Sequence, residues 1–305
     1  MVKLLEGKCA VIAGGGRGLG KEVALAMAYH GAKVVVNDLG TELDGSNPNP
    51  DPANEVVAEI RKTGGTAVVS FASVADFIGA KNIINTSVRE FGKIDILVNC
   101  ATIARGGQIW ETSEEDSDAV LAVTLKGTIN TCQHALVAMR NQGTGRIINF
   151  TSPSWLGVTG ADAYTAAKGG VVSLTRGIAS RMKLEGHKIT CNAIAPIGGT
   201  RLNQMRLSNP EMWLEMWGKY YKAGIIDQQL YEDTIVPADP KEIAPIVCYL
   251  ATDQAENISG RVFGATKGRV ALYSEPEEIR GIYKDGIWTL EELMRLIPKT
   301  LARGL

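Results

Sequence analysis

The chain has little of what several functional classes require. Its five cysteines, at positions 9, 100, 132, 191 and 248, are odd in number, widely spaced and form no CxxC. That pattern argues against a disulfide framework or a zinc site and for buried thiols. Only three histidines occur, His30, His134 and His187, and none has a carboxylate or cysteine at ligand spacing, so no metal centre is expected. An excess of one charge is also missing: 32 basic and 33 acidic residues leave a formal net charge of −1. Such a balance supplies no overall field for nucleic acid or an anionic membrane. No apolar run reaches the ~18–20 residues of a membrane span. The first residues, Met1 to Lys8, lead into a strand pattern without a signal-peptide profile, and a cytoplasmic protein is predicted.

What is present is a long, moderately apolar chain. Its 305 residues are 45% hydrophobic with a mean hydropathy of +0.01, enough for a sizeable core as one α/β domain. Apolar strand patterns at 8–13, 33–38, 66–70, 94–99, 145–151, 188–194 and 259–265 alternate with longer amphipathic segments. The alternation predicts a doubly wound, seven-stranded parallel sheet with helices on both faces. Ser113-Glu-Glu-Asp116 predicts a capped start to a long helix around 114–140, and the Pro, Asn and Gly of 39–53 predict an irregular loop.

Tyr164 and Lys168 stand four apart in Tyr164-Thr-Ala-Ala-Lys168, the spacing that stacks two side chains on one helix face. An ammonium there favours the phenolate and is expected to lower the tyrosine pKa, which makes Tyr164 a candidate proton shuttle. Upstream, the apolar run Cys9–Ala13 opens into Gly14-Gly-Gly-Arg-Gly18-Leu-Gly20 and then a helical pattern. This strand, glycine turn and helix suit a pyrophosphate on the positive end of the helix. The next strand, Val34–Asn37, runs into Asp38, 18 residues beyond Gly20, near the spacing of an acid that grips the adenosine ribose hydroxyls. A carboxylate there repels a 2′-phosphate and favours NAD, while Arg17 inside the turn leaves NADP possible.

The glycine turn together with Tyr164 and Lys168 resembles the short-chain dehydrogenase/reductase family, over most of the chain. Ala13, Gly14, Gly18 and Gly20 match its turn; Asn99 and Ala101 match its strand-four motif, with Cys100 and Thr102 as departures. The resemblance implies a Rossmann-type fold and an NAD(P)-dependent exchange of a secondary alcohol with a ketone. In that scheme a serine hydrogen-bonds the substrate oxygen, Tyr164 takes its proton, and Lys168 lowers the tyrosine pKa and contacts the ribose. The serine is Ser152 by alignment on its strand, but it lies 12 residues before Tyr164 where Thr151 keeps the usual 13, so Thr151 and Ser154 remain rivals. Thr124 stands where the family commonly carries an asparagine that holds a water in a proton relay. Implied cofactor contacts are Gly14, Arg17, Gly18, Leu19, Gly20, Asp38, Ser73, Val74, Asn99, Ala101, Tyr164, Lys168, Pro196, Ile197 and Thr200.

Within the family, Val34–Gly40 with its following insertion, Leu125–Thr128, and Cys191-Asn-Ala-Ile-Ala-Pro-Ile-Gly-Gly-Thr-Arg-Leu202 resemble the dehydrogenase unit of peroxisomal-type multifunctional beta-oxidation enzymes and bacterial hydroxyacyl-CoA and hydroxysteroid relatives. The segment 200–236, which includes Met205, Trp213 and Trp217, reads either as an apolar lid over a bulky hydrophobic substrate or as a stripe packed on the fold or another subunit. Past the seventh strand, Thr289 caps a short helix with an apolar face of Leu290, Leu293 and Ile297, a tail that packs on the fold or a neighbour. A homodimer or homotetramer is expected from the family. A competing class stays open: Thr102, Thr124 and the shortened serine loop all touch the reaction centre, which suits a catalytically impaired subunit of a hetero-oligomer.

Overall fold

The computed structural model describes residues 3–158, 161–201 and 208–304. It falls into two compact units, Met1–Leu272 and Tyr273–Leu305. The first is built on one sheet in the order β3-β2-β1-β4-β5-β6-β7-β8. Its strands are β1 (Cys9–Ala13), β2 (Lys33–Asn37), β3 (Thr66–Ser70), β4 (Ile96–Asn99), β5 (Thr144–Phe150), β6 (Lys188–Pro196), β7 (Val262–Thr266) and β8 (Arg269–Leu272). Seven of these are parallel, as expected. The eighth corrects the seven-stranded expectation: β8 turns back and pairs antiparallel with β7, Thr266 opposite Arg269. It is short and mostly exposed, so it carries none of the apolar patterning by which the other strands are recognised.

Every residue of β1 is buried, and its side chains alternate between two cores. Ala10 and Ile12 join a core with Val23 and Met27 of α1 (Gly18–Tyr29), Val56 and Ile60 of α2 (Asp51–Lys62), and Val247. Val11 and Ala13 join the other with Ile83 of α3 (Phe77–Phe91), Met139, Ile178 and Cys191. Alternation of this kind, apolar to both sides, is what a parallel sheet sandwiched between helices requires.

The chain leaves β1 towards β2 on one side and returns as β4 on the other. Their carboxyl ends stand level, with Ala13 opposite both Asn37 and Asn99, and this reversal of strand order opens the crevice in which doubly wound sheets bind ligands.

The long helix expected near 114–140 runs from Glu114 to Gln142, but in three pieces: α4 (Glu114–Val120), a π-helical turn (Leu121–Lys126) and α5 (Gly127–Gln142). Ser113 caps its start through Asp116 N, as its sequence predicts. The insertion is irregular only to residue 50, because α2 begins at Asp51 with a proline in its first turn, a position that tolerates the missing N–H. Next come α6 (Asp162–Leu184), α7 (Pro210–Lys222), α8 (Gln228–Ile235) and α9 (Ala244–Ala251). In the second unit α10 (Leu290–Leu296) has a capping box between Thr289 and Glu292, and none of its residues is buried.

Under the crevice lies a polar cluster. Asn99 Nδ2 donates to Asn149 Oδ1 at 2.9 Å, Thr131 Oγ1 donates to Asn99 Oδ1 at 2.7 Å, and Asn149 Nδ2 donates to Thr175 Oγ1 at 3.0 Å. It joins β4, β5, α5 and α6, and Asn149 is 0% exposed. Asn149→Ala takes from Asn99 Nδ2 its oxygen acceptor, leaving it only the weaker contact to Cys132 Sγ, and from Thr175 Oγ1 its donor while its bond to Val171 O remains, and is expected to lower the unfolding free energy by about 1–3 kcal/mol. Urea denaturation is the check; an unchanged midpoint contradicts the role assigned to the cluster.

Candidate active site

The glycine turn forms because its backbone is packed too tightly for side chains. Gly14 has φ +81°, and a Cβ there would lie 2.5 Å from Ala101 N; one on Gly20 would lie 1.9 Å from Gly14 O. The turn thereby sits directly on the segment after β4. It delivers the chain into α1, whose N-cap Arg17 makes no side-chain capping bond, so the first N–H groups of the helix stay available to an anion. Asp38, just beyond β2, is held in place: its Oδ2 accepts from Gly16 N at 2.8 Å and its Oδ1 from Gly40 N at 2.7 Å. An uncapped helix start, a side-chain-free cradle and an aimed carboxylate fit a dinucleotide.

Arg17 does not project freely into this cleft. Its Nη1 donates to the carbonyls of Gly40 at 3.2 Å and Thr41 at 2.8 Å. Arg201, which the sequence reading passed over, also donates to Thr41 O, at 3.0 Å. Burial and then the neighbouring Arg17 charge lower the Arg201 pKa, and Asp38 raises it. The region beside Asp38 is therefore shared by two guanidiniums.

The other expected contacts spread along the carboxyl ends of the strands. Leu19 packs on Gly198, and Thr200 lies against Gly18. Ile197 is tied by its N–H to Ala265 O and by its carbonyl to Ala238 N, which places Pro196, Ile197 and Thr200 beside the turn. Ser73 Oγ accepts from Ala75 N, and the buried Val74 has its carbonyl bound by Asn130 Nδ2 at 3.0 Å. Asn99 spends its carboxamide inside the polar cluster, so its side chain is a structural pin. Asn37, unnoticed in the sequence, fastens the loop after β3 through Ala72 O at 2.9 Å.

Tyr164 and Lys168 lie on α6, with Lys168 Nζ 5.3 Å from the centre of the Tyr164 ring. Lys168 is 3% exposed, and its Nζ donates to Phe150 O at 2.8 Å. The three rivals for the serine role separate here. Thr151 is buried and donates its hydroxyl to Lys168 O at 2.9 Å. Ser154 is buried with its Oγ 2.9 Å from that of Ser152. Ser152 is the one whose side chain bears on the Tyr164 phenol, drawing its pKa down against burial.

The expectation that Lys168 lowers the tyrosine pKa is corrected. Burial pushes the Tyr164 phenol up to about 12, and Ser152 pulls only partly against it. Burial also drives Lys168 down to about 8, opposed by Cys100. Desolvation thus governs both groups and leaves the lysine as the one that titrates closer to neutrality. Cys100 is pushed well above its usual range by burial and stays a thiol.

Thr124 is on the π-turn, 1% exposed, with its Oγ1 3.0 Å from Thr102 Oγ1. Trp213 and Trp217 face each other on α7, ring centres 5.7 Å apart, and both are buried with Val158 and Ile226. They form a small core of their own against the loop between Ser152 and Tyr164, as the reading of a stripe packed on the fold expects. The stretch 202–207, with Leu202 and Met205, and residues 159–160 lie outside the described residues.

The family model for short chain dehydrogenase matches residues 8–211. The chain belongs to that family. Membership makes it an oxidoreductase of the short-chain, nicotinamide-dependent type. It is 39% identical over 255 residues to the peroxisomal multifunctional enzyme type 2 of Drosophila melanogaster, an alignment covering 83% of this chain but 38% of that enzyme. It is 32% identical to a subunit of (2S)-[(R)-hydroxy(phenyl)methyl]succinyl-CoA dehydrogenase from Thauera aromatica, over 87% of this chain and 97% of that one. The crystal structure of a short chain dehydrogenase from Mycobacterium avium superposes with a TM-score of 0.80 at 33% identity, covering 98% and 96% of the two chains. Among the described residues no group of side chains is arranged to hold a metal ion, and no described helix is long and apolar enough to cross a membrane.

Proposed function

We propose that the protein interconverts a secondary alcohol and a ketone on a bulky hydrophobic substrate of the hydroxyacyl-CoA or hydroxysteroid class, with NAD as the preferred cofactor. The observation that carries this reading is the constellation of Tyr164 and the buried Lys168, whose Nζ lies 5.3 Å from the centre of the tyrosine ring, with Ser152 bearing on the same phenol. When bound, the nicotinamide supplies the hydride acceptor. Ser152 orients the carbinol oxygen, Tyr164 takes its proton, and Lys168 exchanges that proton onward. The printed name of the Thauera relative, a CoA-thioester dehydrogenase, supports the acyl-CoA side of the substrate class. The five cysteines are all free and four are buried, in keeping with a reducing cytoplasm. The long helices α4 to α6 and the last strands are the surfaces we assign to a homodimer or homotetramer.

A second reading, a catalytically impaired subunit of a hetero-oligomer, draws on Thr102, Thr124 and the word subunit in that relative's name. Turnover decides between them. Against a panel of steroid-sized, acyl-thioester and short secondary alcohols, wild type is expected to reduce NAD, and Tyr164→Phe to lose at least roughly a hundredfold in kcat while binding cofactor normally. Oxidation requires the base form of the pair, so its kcat rises with pH through an apparent value near the about 8 of Lys168, and ketone reduction falls over the same range. Cofactor binding without turnover of any alcohol favours the impaired subunit.

Cofactor choice rests on charge. Asp38 repels a 2′-phosphate, and both nearby guanidiniums are committed to Thr41 O. NAD is expected to bind more tightly than NADP by roughly tenfold or more, about 1.4 kcal/mol, and Asp38→Ser to narrow the gap. Fluorescence titration is the check. Tighter binding of NADP by wild type assigns Arg17 and Arg201 to the phosphate and ends the NAD reading.

A further inference from the structure

We propose that residues 39–50 form a strap latched across the cofactor crevice, with Arg105 and Arg201 as the positioning residues whose release lets a dinucleotide in and out. This rests on the dinucleotide reading of the site and deepens it. The strap leaves the sheet after β2, on one side of β1, yet it is hydrogen-bonded to the segments after β4 and β6 on the other side. It therefore crosses the carboxyl end of β1, where the glycine turn lies and the strand order reverses. Its root is Asp38, the acid assigned to the adenosine ribose, through Gly40 N at 2.7 Å.

The strap is a folded piece, not a slack connector. Its ends are joined: Asn49 N donates to Leu39 O at 2.9 Å, and a Cβ on Gly40, which has φ +65°, would stand 1.7 Å from Asn49 O. Its tip is closed by Glu42 N on Ser46 O at 2.8 Å, while the N–H and hydroxyl of Ser46 both donate to Asp44 Oδ1. A compact loop with joined ends and internal bonds of its own moves as one body. Whether it stays down on the crevice is then decided by what holds it from outside.

On the near bank, Arg17 Nη1 donates to Gly40 O and Thr41 O at 3.2 and 2.8 Å, and this bond ties the strap only to its own side. The far bank supplies the latches. From beyond β6, Arg201 Nη1 donates to the same Thr41 O at 3.0 Å. From beyond β4, Ala104 N donates to Leu43 O at 3.0 Å and Arg105 Nε donates to Asp44 O. Arg105 is steadied in turn by Glu115 and Asp116 of α4, each at 3.8 Å. These are charge-assisted bonds from side chains to surface carbonyls, and their net strength is modest. Arg201 is also repelled by the Arg17 charge that shares its acceptor. Such latches hold the strap closed and still break in each round of cofactor exchange, as gating loops do.

The test uses Arg201→Met and Arg105→Met, which keep an apolar stem and remove the guanidinium, their double variant, and Arg201→Lys, which can still donate to Thr41 O. Stopped-flow fluorescence gives kon for NADH, and displacement of bound NADH by excess NAD gives koff. Each methionine variant is expected to raise both rate constants by roughly fivefold or more, the size of one such bond, and the double variant by roughly the product of the two. Kd is expected to change much less than either rate, because entry and exit pass through the same opened strap. Arg201→Lys is expected to fall between wild type and Arg201→Met. Hydrogen exchange of the peptides covering 39–50 and 103–105, read by mass spectrometry, is expected to quicken in the methionine variants while their urea midpoints stay near wild type. Unchanged rate constants in the double variant overturn the proposal. So does a rise in koff alone with a matching loss of affinity, which makes Arg201 a direct ligand of the cofactor. A wild type that binds no nicotinamide dinucleotide overturns the reading of the site itself, a result distinct from a binding wild type whose rates ignore Arg105 and Arg201.

Discussion

The buried ammonium of Lys168 is the group around which the rest of the site is arranged. An ammonium 3% exposed is costly to desolvate. Phe150 O, at the end of β5, accepts one of the ammonium's N–H groups at 2.8 Å and so offsets part of that cost; separately, Thr151 Oγ1 donates to the backbone carbonyl of Lys168 at 2.9 Å. These two bonds lock α6 to the strand from which Ser152 emerges. The same burial lowers Lys168 to about 8 and raises Tyr164 to about 12. Stability and reactivity therefore meet in one constraint: the lysine is held in a place where its charge is expensive, and a group held so gives up a proton near neutrality.

The polar cluster of Asn99, Thr131, Asn149 and Thr175 serves this arrangement from below. It binds β4 and β5 to the two helices on that face, so the strand ends that carry Ala101 and Ser152 keep their spacing. Above it, the glycine turn lies on Ala101 at a distance that excludes any side chain. The glycine turn and the side chains of Ser152, Tyr164 and Lys168 thus adjoin one packed layer, in which Cys100 and Thr102 depart from the family's strand-four motif.

Much of this was legible in the sequence, and the legible parts are local. A strand running into a glycine turn, an acid closing the next strand, and tyrosine and lysine one helical turn apart are all patterns within about thirty residues, and seven strands fell where their apolar runs predicted. What escaped was set by contacts between distant residues. No periodicity relates Thr102 to Thr124, or Asn99 to Asn149, and a π-turn inside an α-helical pattern leaves the pattern readable while moving the side chain. Strand β8, Arg269–Leu272, has too little apolar alternation to stand out. The tryptophans on α7 were legible as an apolar stripe, but only packing reveals that they meet edge to face in a small core with Val158 and Ile226. Tyr164 was misjudged for a related reason: charge proximity can be read from spacing, whereas the extent of burial, which here outweighs it, cannot.

The central claim is that this layer moves a hydride from a carbinol carbon while its side chains move the proton. The most direct measurement follows the isotope. With a secondary alcohol deuterated at the carbinol carbon, NMR of the reduced cofactor is predicted to show deuterium on one face of nicotinamide C4, in an amount equal to the ketone formed. Reduced cofactor carrying only solvent protium, or ketone formed without cofactor reduction, would contradict it.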